Sequence, residues 1–359
     1  MMRQAKVHRI ATTAPDDLSG LLAAIAAGTI DPQGIVAILG KTEGNGCVND
    51  FTRAFAVSAL KAGLSQYLDA GRISQIAYVM SGGTEGALSP HILVLERGAG
   101  DGPGPALAIG SALTSDLPSE GLGRLAQVRL VADGVAAAMA DAGITDPADV
   151  HFVQIKCPLL TAERIGEVEA RGGSVATRDT LKSMGFSRGA SALGVAVALG
   201  ELDVEAVSDA AIGRDIALWS SRASTSAGIE LRNHEIVVLG MSDQWSGPLS
   251  VDHAVMADAI DTRPVRDALD RLGFGHDVRA EGRLVALLAK AEPGTTGLLR
   301  GARHTMLDDS DISATRHARA FVGGVLAGLV GSSEIFVSGG AEHQGPDGGG
   351  PVALIATKA

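Results

Sequence analysis

Lysine, arginine and serine recur in the same order three times along this 359-residue chain. Lys41, Lys156 and Lys290 each close an apolar run: Ile35 to Leu39, Val150 to Ile155 and Leu284 to Leu288. Arg53, Arg188 and Arg319 come next, in the first turns of helical stretches. Ser81, Ser226 and Ser338 come last, each opening a small-residue turn with a Glu four positions on. The turns read Ser81-Gly82-Gly83-Thr84-Glu85, Ser226-Ala227-Gly228-Ile229-Glu230 and Ser338-Gly339-Gly340-Ala341-Glu342. One lysine at a strand end is usually solvated, and one Ser-Gly-Gly is usually a turn. Three sets in one order need another reason. Arg319 is preferred to Arg316 as the third arginine because Arg319-Ala320-Phe321 repeats Arg53-Ala54-Phe55, although Thr315-Arg316 also matches Thr52-Arg53.

These residue types suit acyl transfer on an amide or imide. A serine beside a neutral lysine is an alternative to the serine–histidine arrangement. Burial or nearby cations lower the lysine pKa and allow it to take the hydroxyl proton. Arginine offers fixed donors to carbonyl oxygens, and backbone N–H groups of the turn after the serine can hold an oxyanion. Residues two apart on a strand share a face, which sets Glu43 beside Lys41 and Glu292 beside Lys290. Lys156 is followed instead by Cys157-Pro158. The expectation is that Lys156 has the lowest pKa of the three and activates Ser226. Lys41 and Lys290 then stay charged and bind substrate together with Ser81 and Ser338.

The elements that must hold these residues form repeats. A helix over Leu18 to Ala27 ends at Gly28, Asp31-Pro32 turns the chain, and a buried strand runs to Lys41. The pattern then restarts. At one constant offset, residue 41 onto residue 156, Ala27-Gly28 falls on Ala142-Gly143 and Asp31-Pro32 on Asp146-Pro147. Internal repeats set an architecture. The fold expected is α/β, three homologous repeats, each reading helix, lysine strand, arginine helix, serine strand. The units expected are 1–104, 113–250 and 255–359, with Gly98 to Pro105 as a linker. A helix over Asp252 to Ile260 is expected to open the third.

Hydrophobic residues make up 46% of the chain and aromatic ones 3%, so Ala, Val, Leu and Ile must build the core. A formal charge of −11 argues against a nucleic-acid partner. Cys47 and Cys157 cannot form a disulfide framework and fit a reducing compartment. No signal peptide stands at the N-terminus, and no apolar run reaches the roughly 18 to 20 residues of a membrane span; a cytoplasmic location without membrane contact is expected. No GxxxxGK[ST] phosphate loop occurs. Nine histidines appear without HxxxH or CxxC spacing. The oxygen-rich segment Glu342 to Gly350, with Glu292, fits either a hard cation held by carbonyls or a plain loop.

Gly40-Lys41-Thr42-Glu43-Gly44-Asn45-Gly46, Ser81-Gly82-Gly83-Thr84-Glu85-Gly86, Ser187-Arg188-Gly189 and Ser338-Gly339-Gly340-Ala341-Glu342 together resemble the ring-opening amidohydrolases, the family of the cyanuric acid hydrolases and barbiturases. The resemblance covers essentially the whole chain. It implies three repeats around a pseudo-threefold axis, a central β-barrel with helices outside, and a homotetramer. It implies Ser226 and Lys156 as the catalytic pair, with Arg53, Arg188 and Arg319 on ring oxygens. Ser81-Gly82, Ser226-Ala227 and Ser338-Gly339 would bind substrate, as would Lys41 and Lys290. No organic cofactor is implied. A structural divalent ion, Mg or Ca, would fall on Glu292, Ala341, Gln344, Gly345, Pro346 and Gly349. The reaction implied is opening of a cyclic imide, cyanuric acid to carboxybiuret and then biuret and carbon dioxide. The rivals are opening of barbituric acid and a binding protein without catalysis.

Overall fold

The computed structural model describes residues 2–307 and 312–359. Its first unit holds β1 (Met2–Ala11), α1 (Ser19–Ala26), β2 (Ile35–Thr42), α2 (Phe51–Leu64), α3 (Ala70–Ser74), β3 (Ala77–Gly82) and β4 (His91–Gly100). The second holds β5 (Ala106–Leu113), α4 (Leu125–Ala142), β6 (Val150–Cys157), α5 (Ala162–Ala170), α6 (Thr180–Ala198), β7 (Ala223–Ala227) and β8 (Glu235–Ser242). The third holds β9 (Leu249–Met256), α7 (Arg263–Arg271), α8 (Val278–Glu281), β10 (Leu284–Ala291), the short hairpin β11 (Leu298–Leu299) and β12 (Ala302–Arg303), α9 (Ala314–Val330), β13 (Phe336–Gly339) and β14 (Gly350–Thr357).

Each unit builds one four-stranded sheet of the same order: β1-β4-β2-β3, β5-β8-β6-β7 and β9-β14-β10-β13. In each, the lysine strand runs parallel to the serine strand and antiparallel to the last strand. A parallel pair needs a crossover long enough for a helix, and α2, α6 and α9 provide it. That is why an arginine helix lies between every lysine and its serine. The matched Asp-Pro pairs open equivalent 3-10 turns, Asp31 accepting from Gln33 N–H at 3.0 Å and Asp146 from Ala148 N–H at 2.9 Å. The glycines at the matched Ala-Gly pairs both take left-handed conformations, φ 71° at Gly28 and 66° at Gly143, which suits glycine beyond a helix end.

Several expectations need correction. The first strand of each unit was not anticipated. Strand β9 stands where a helix over Asp252 to Ile260 was expected, because Leu249–Met256 pairs antiparallel with β14 and interleaves buried and half-buried residues, with one break at Asp252-His253. Strand β5 pairs with β8 and β9 with β14, so the second and third sheets begin ahead of residues 113 and 255. The serine strand β7 comes from Ala223–Ala227 and not from the apolar Ile212 to Trp219, which is turn and irregular chain. Helix α6 starts at Thr180, so Arg188 sits at mid-helix and not in a first turn. The sheets are separate hydrogen-bonded units, and among the described residues no ladder closes them into the expected barrel. They meet by packing: one apolar cluster takes in Leu39 and Val79, Ile155 and Val238, and Leu288 and Ile355.

Candidate active site

Register brings each lysine opposite its serine across a parallel pair: Lys41 beside Ser81, Lys156 beside Ser226, Lys290 beside Ser338. All six are buried at the carboxyl ends of their strands, the usual ligand-binding edge of an α/β sheet. The units are then laced in a ring. Each lysine ammonium donates to the carbonyl just before the serine of another unit: Lys41 to Val337 at 2.8 Å, Lys156 to Met80 at 3.1 Å, Lys290 to Thr225 at 2.8 Å. The arginines run round the other way. Arg53 donates to Ala227 O at 3.1 Å, Arg188 grips Glu342 through Nε at 2.7 Å, and Arg319 donates to Asn45 O at 3.0 Å. Nine chemically active side chains from distant parts of the chain thus converge. Arg319 Nε is buried with no hydrogen-bond partner, a donor available to a ligand oxygen.

Close approach at this centre requires glycine. A Cβ on Gly82 would lie 2.3 Å from Gly46 N. Gly340, at φ 76°, passes 2.5 Å (Cβ position) from the Arg188 guanidinium. A cavity of about 620 Å³ opens over Lys41, Asn45, Thr84, Arg316 and Arg319. A second, of about 380 Å³, lies over Cys47, Arg188, Arg319, Gly339 and Glu342. Neither is lined by Lys156 or Ser226, both of which are buried.

The three sets differ in their hydrogen bonds. Lys41 donates to Ser81 Oγ at 2.9 Å, and Lys290 to Ser338 Oγ at 3.3 Å. Lys156 makes no hydrogen bond to Ser226 among the described residues. Its ammonium pairs with Glu230 Oε1 at 3.1 Å, and Ser226 Oγ lies 3.3 Å from Ser338 Oγ. The lysine expected to lack a carboxylate is therefore the one that has it. Strands β2 and β10 end before Glu43 and Glu292, so the rule of shared faces does not reach those acids. Glu292 binds Thr315 Oγ1 at 2.7 Å and Ala341 N–H at 2.9 Å instead. Burial, with the Arg319 charge behind it, pushes Lys41 well below its ordinary value. Burial and then Arg188 push Lys290 down to about 7. Burial lowers Lys156 as well, but Glu230 opposes that fall. The expectation that Lys156 is the lowest does not hold.

The sequence profile of the amidohydrolase ring-opening proteins matches residues 6–357. The chain belongs to this ring-opening amidohydrolase family. It is 65% identical to the cyanuric acid amidohydrolase of Azorhizobium caulinodans over 356 residues, covering 99% of this chain and 98% of that one. It is 64% identical to the cyanuric acid amidohydrolase of Bradyrhizobium sp. (strain ORS 375), with the same coverage. A crystal structure of the A. caulinodans cyanuric acid hydrolase superposes with a TM-score of 0.95 at 65% identity, covering all of both chains. A second solved cyanuric acid hydrolase, described as an innovation by structural concatenation, gives 0.95 at 48% identity, covering 99% of this chain and 100% of that one.

As in any ring-opening amidohydrolase, donors must be free to meet a developing oxyanion. Gly83 N–H is spent on Gly44 O at 2.7 Å and Gly228 N–H on Cys157 O at 2.9 Å, so neither is free for that task. For the cation site implied by resemblance, the donor set fits in part. Glu292 is half-buried, its carboxyl raised by desolvation and by Glu342, and among the described residues it has no ion-pair partner. The loop carbonyls of Ala341 and Pro346 accept from Gln344 and Gly349 N–H groups, at 2.9 Å each, and keep a second lone pair. Gln344 fits less well, since its Oε1 accepts from Thr225 N–H at 2.7 Å. Gly345 takes φ 102° at the loop bend.

Sequence reasoning missed Glu235. It lies opposite Lys156 across the β6–β8 ladder, where His91 lies opposite Lys41. Its carboxylate accepts from Tyr78 N–H at 2.8 Å, and burial pushes it up to about 7. The signal was the repeat itself, extended to the position facing each lysine.

Proposed function

We propose that this chain opens the ring of cyanuric acid by hydrolysis, with Ser226 as nucleophile and Lys156 as its base. The observation that carries this reading is the reciprocal lacing of three Lys/Arg/Ser sets around one centre. Cyanuric acid presents three identical imide edges, and sets related by a pseudo-threefold axis would meet all of them. The names borne by the relatives point the same way. Membership of an amidohydrolase family outweighs a binding role without catalysis.

Broken symmetry selects the reacting copy. Of the three site lysines, only Lys156 has a carboxylate at ion-pair distance among the described residues, so only there does a side chain offer the proton a relay. Burial lowers the Lys156 ammonium, and the partly exposed Glu230, which Lys156 holds below its ordinary value as a carboxylate, can relay the lysine's proton outward to solvent. The neutral amine takes the Ser226 Oγ proton as Oγ attacks a ring carbonyl. The ring C–N bond breaks, Lys156 returns the proton to the leaving nitrogen, and an acyl-enzyme remains. Water then attacks the ester and releases carboxybiuret, which loses carbon dioxide to give biuret. Arg53, Arg188 and Arg319 hold the ring oxygens. Lys41 and Lys290, with Ser81-Gly82 and Ser338-Gly339, hold the two edges that do not react, and Ala227 follows the nucleophile. Glu292 and the loop over Ala341, Gln344, Gly345, Pro346 and Gly349 would hold a divalent ion, Mg or Ca, whose charge would steady the loop bearing Glu342. The working assembly is taken as a homotetramer.

One observation favours a second reading. Lys41 reaches Ser81 directly and is the more strongly depressed lysine, which makes Ser81 the rival nucleophile. Loss of ultraviolet absorbance by cyanuric and barbituric acids, followed with the native chain and with Ser226→Ala and Ser81→Ala, tests both. Turnover of cyanuric acid that survives Ser81→Ala in part and falls at least about a thousandfold in Ser226→Ala supports the proposal. Loss of barbiturate alone would move the substrate.

A further inference from the structure

Away from the lysine centre, His151 on β6 and Asp252 and His253 on β9 meet where the second sheet packs on the third. Their ligand atoms all lie within 4.8 Å of one another. His151 Nδ1 stands 2.9 Å from His253 Nδ1 and 3.6 Å from Asp252 Oδ1. The rings meet edge to face, with centroids 5.0 Å apart and an interplanar angle of 71°, and their Nδ1 atoms are in direct contact. We infer that His151, Asp252 and His253 form a binding site for a divalent transition-metal ion of the zinc type, clipping the second sheet to the third.

A tetrahedral zinc, with ligands at about 2.0 to 2.2 Å, sets its donor atoms about 3.3 Å apart. The two separations from His151 Nδ1, 2.9 and 3.6 Å, bracket that value, and all three donor atoms lie within 4.8 Å of one another. Two imidazoles and one carboxylate favour zinc, cobalt or nickel over magnesium or calcium, which take oxygen ligands. The histidine and aspartate side chains at this spot remain 18% and 14% exposed, which leaves a path for the ion and a fourth position for water. Arg271 holds the outer carboxylate oxygen, Nε to Oδ2 at 2.6 Å, and Asp252 Oδ1 also takes Arg271 NH2 at 3.2 Å and His253 N–H at 2.7 Å. That is the kind of outer partner that orients a metal-binding carboxylate. With a metal bound, each ring proton sits on Nε2 and both Nδ1 lone pairs face the ion. Without it, one Nδ1–H must donate to the other ring.

The test uses chelator-stripped full-length protein, titrated with zinc by calorimetry and with cobalt(II) by visible absorption. The expected result is tetrahedral cobalt bands, a zinc-dependent rise in the thermal midpoint, and no such rise with magnesium or calcium. The double variant His151→Gln/His253→Gln is expected to lose at least about a hundredfold in zinc affinity, the upper end of what even an outer partner costs, with turnover unchanged. Arg271→Gln, which keeps all three ligands, must still bind. Zinc affinity or cobalt bands that persist in the double variant would place the ion elsewhere and overturn the inference. If the native chain shows neither bands nor a shift, the pair is a histidine–histidine hydrogen bond only. Should the double variant not fold, the cobalt spectrum and midpoint shift of the native chain decide alone.

Discussion

For Lys156 to act as the proposed base its ammonium must first lose a proton, and the carboxylate at hand to relay it is Glu230, which Lys156 holds below its ordinary value. Glu230→Gln keeps the shape and a hydrogen-bonding oxygen but takes no proton. It is expected to lower kcat by about a hundredfold with little change in KM, the range of a lost acid–base group; an unchanged kcat would remove Glu230 from the proton path. Glu235 gives a pH prediction. Burial raises it from an ordinary 4.5 to about 7, so between those values the folded chain holds a proton that the unfolded chain has released. Stability from this group is full below pH 4.5 and is lost as pH rises through 7, about 3 kcal/mol in all. Thermal midpoints from pH 5 to 8 should fall less in Glu235→Gln than in the native chain; parallel curves would contradict this. At this scale the sequence showed which lysines, arginines and serines matter, because recurrence needs no geometry. The pairing of Lys156 with Glu230 stayed hidden, because the acid lies on a loop beyond the neighbouring strand and its direction is set by tertiary packing.

Among the elements, α2 rests on one residue. Asp50 caps it by accepting from Thr52 N–H at 3.1 Å, holds Gly46 N–H at 2.8 Å, and faces Arg53 Nε at 3.4 Å. Asp50→Ala is expected to cost about 2 kcal/mol, the upper range for a lost cap, and to weaken substrate binding through Arg53. Urea unfolding and KM measure the two effects; a loss of stability with KM unchanged would separate the cap from the site. The lysine strands β2, β6 and β10 were legible as apolar runs. Strand β7 was not: Ala-Ser-Thr-Ser-Ala carries no hydrophobic run, although every residue of it is buried. Its hydroxyls are satisfied inside, as where Ser224 Oγ donates to Gln154 Oε1 at 2.8 Å. Strand β1 escaped because its residues are mostly half-buried, with Lys6 and His8 among them, and such a pattern has no clear period.

For the whole molecule, three sheets share one apolar cluster, and the lysine and arginine rings bind each unit to the other two. A single cooperative transition is expected, with far-ultraviolet circular dichroism and tryptophan fluorescence melting together. Trp245 reports directly on the join between units, since its Nε1 donates to Ala142 O at 2.6 Å and Arg3 lies 4.7 Å above its ring. Two separated transitions would show that the units unfold independently. The repeat was visible in the chain from Asp31-Pro32 and Asp146-Pro147, but the direction of lacing was not, because strand order gives no side-chain reach. Threefold lacing alone would make the three serines equivalent; the Lys156–Glu230 pair makes one of them different. Acid-quenching the enzyme during turnover of cyanuric acid and mapping the adduct by peptide mass spectrometry tests that claim. Ring opening expels nothing, so the account predicts the mass of one whole substrate on the peptide carrying Ser226. The same mass on the peptide carrying Ser81 or Ser338 would contradict it.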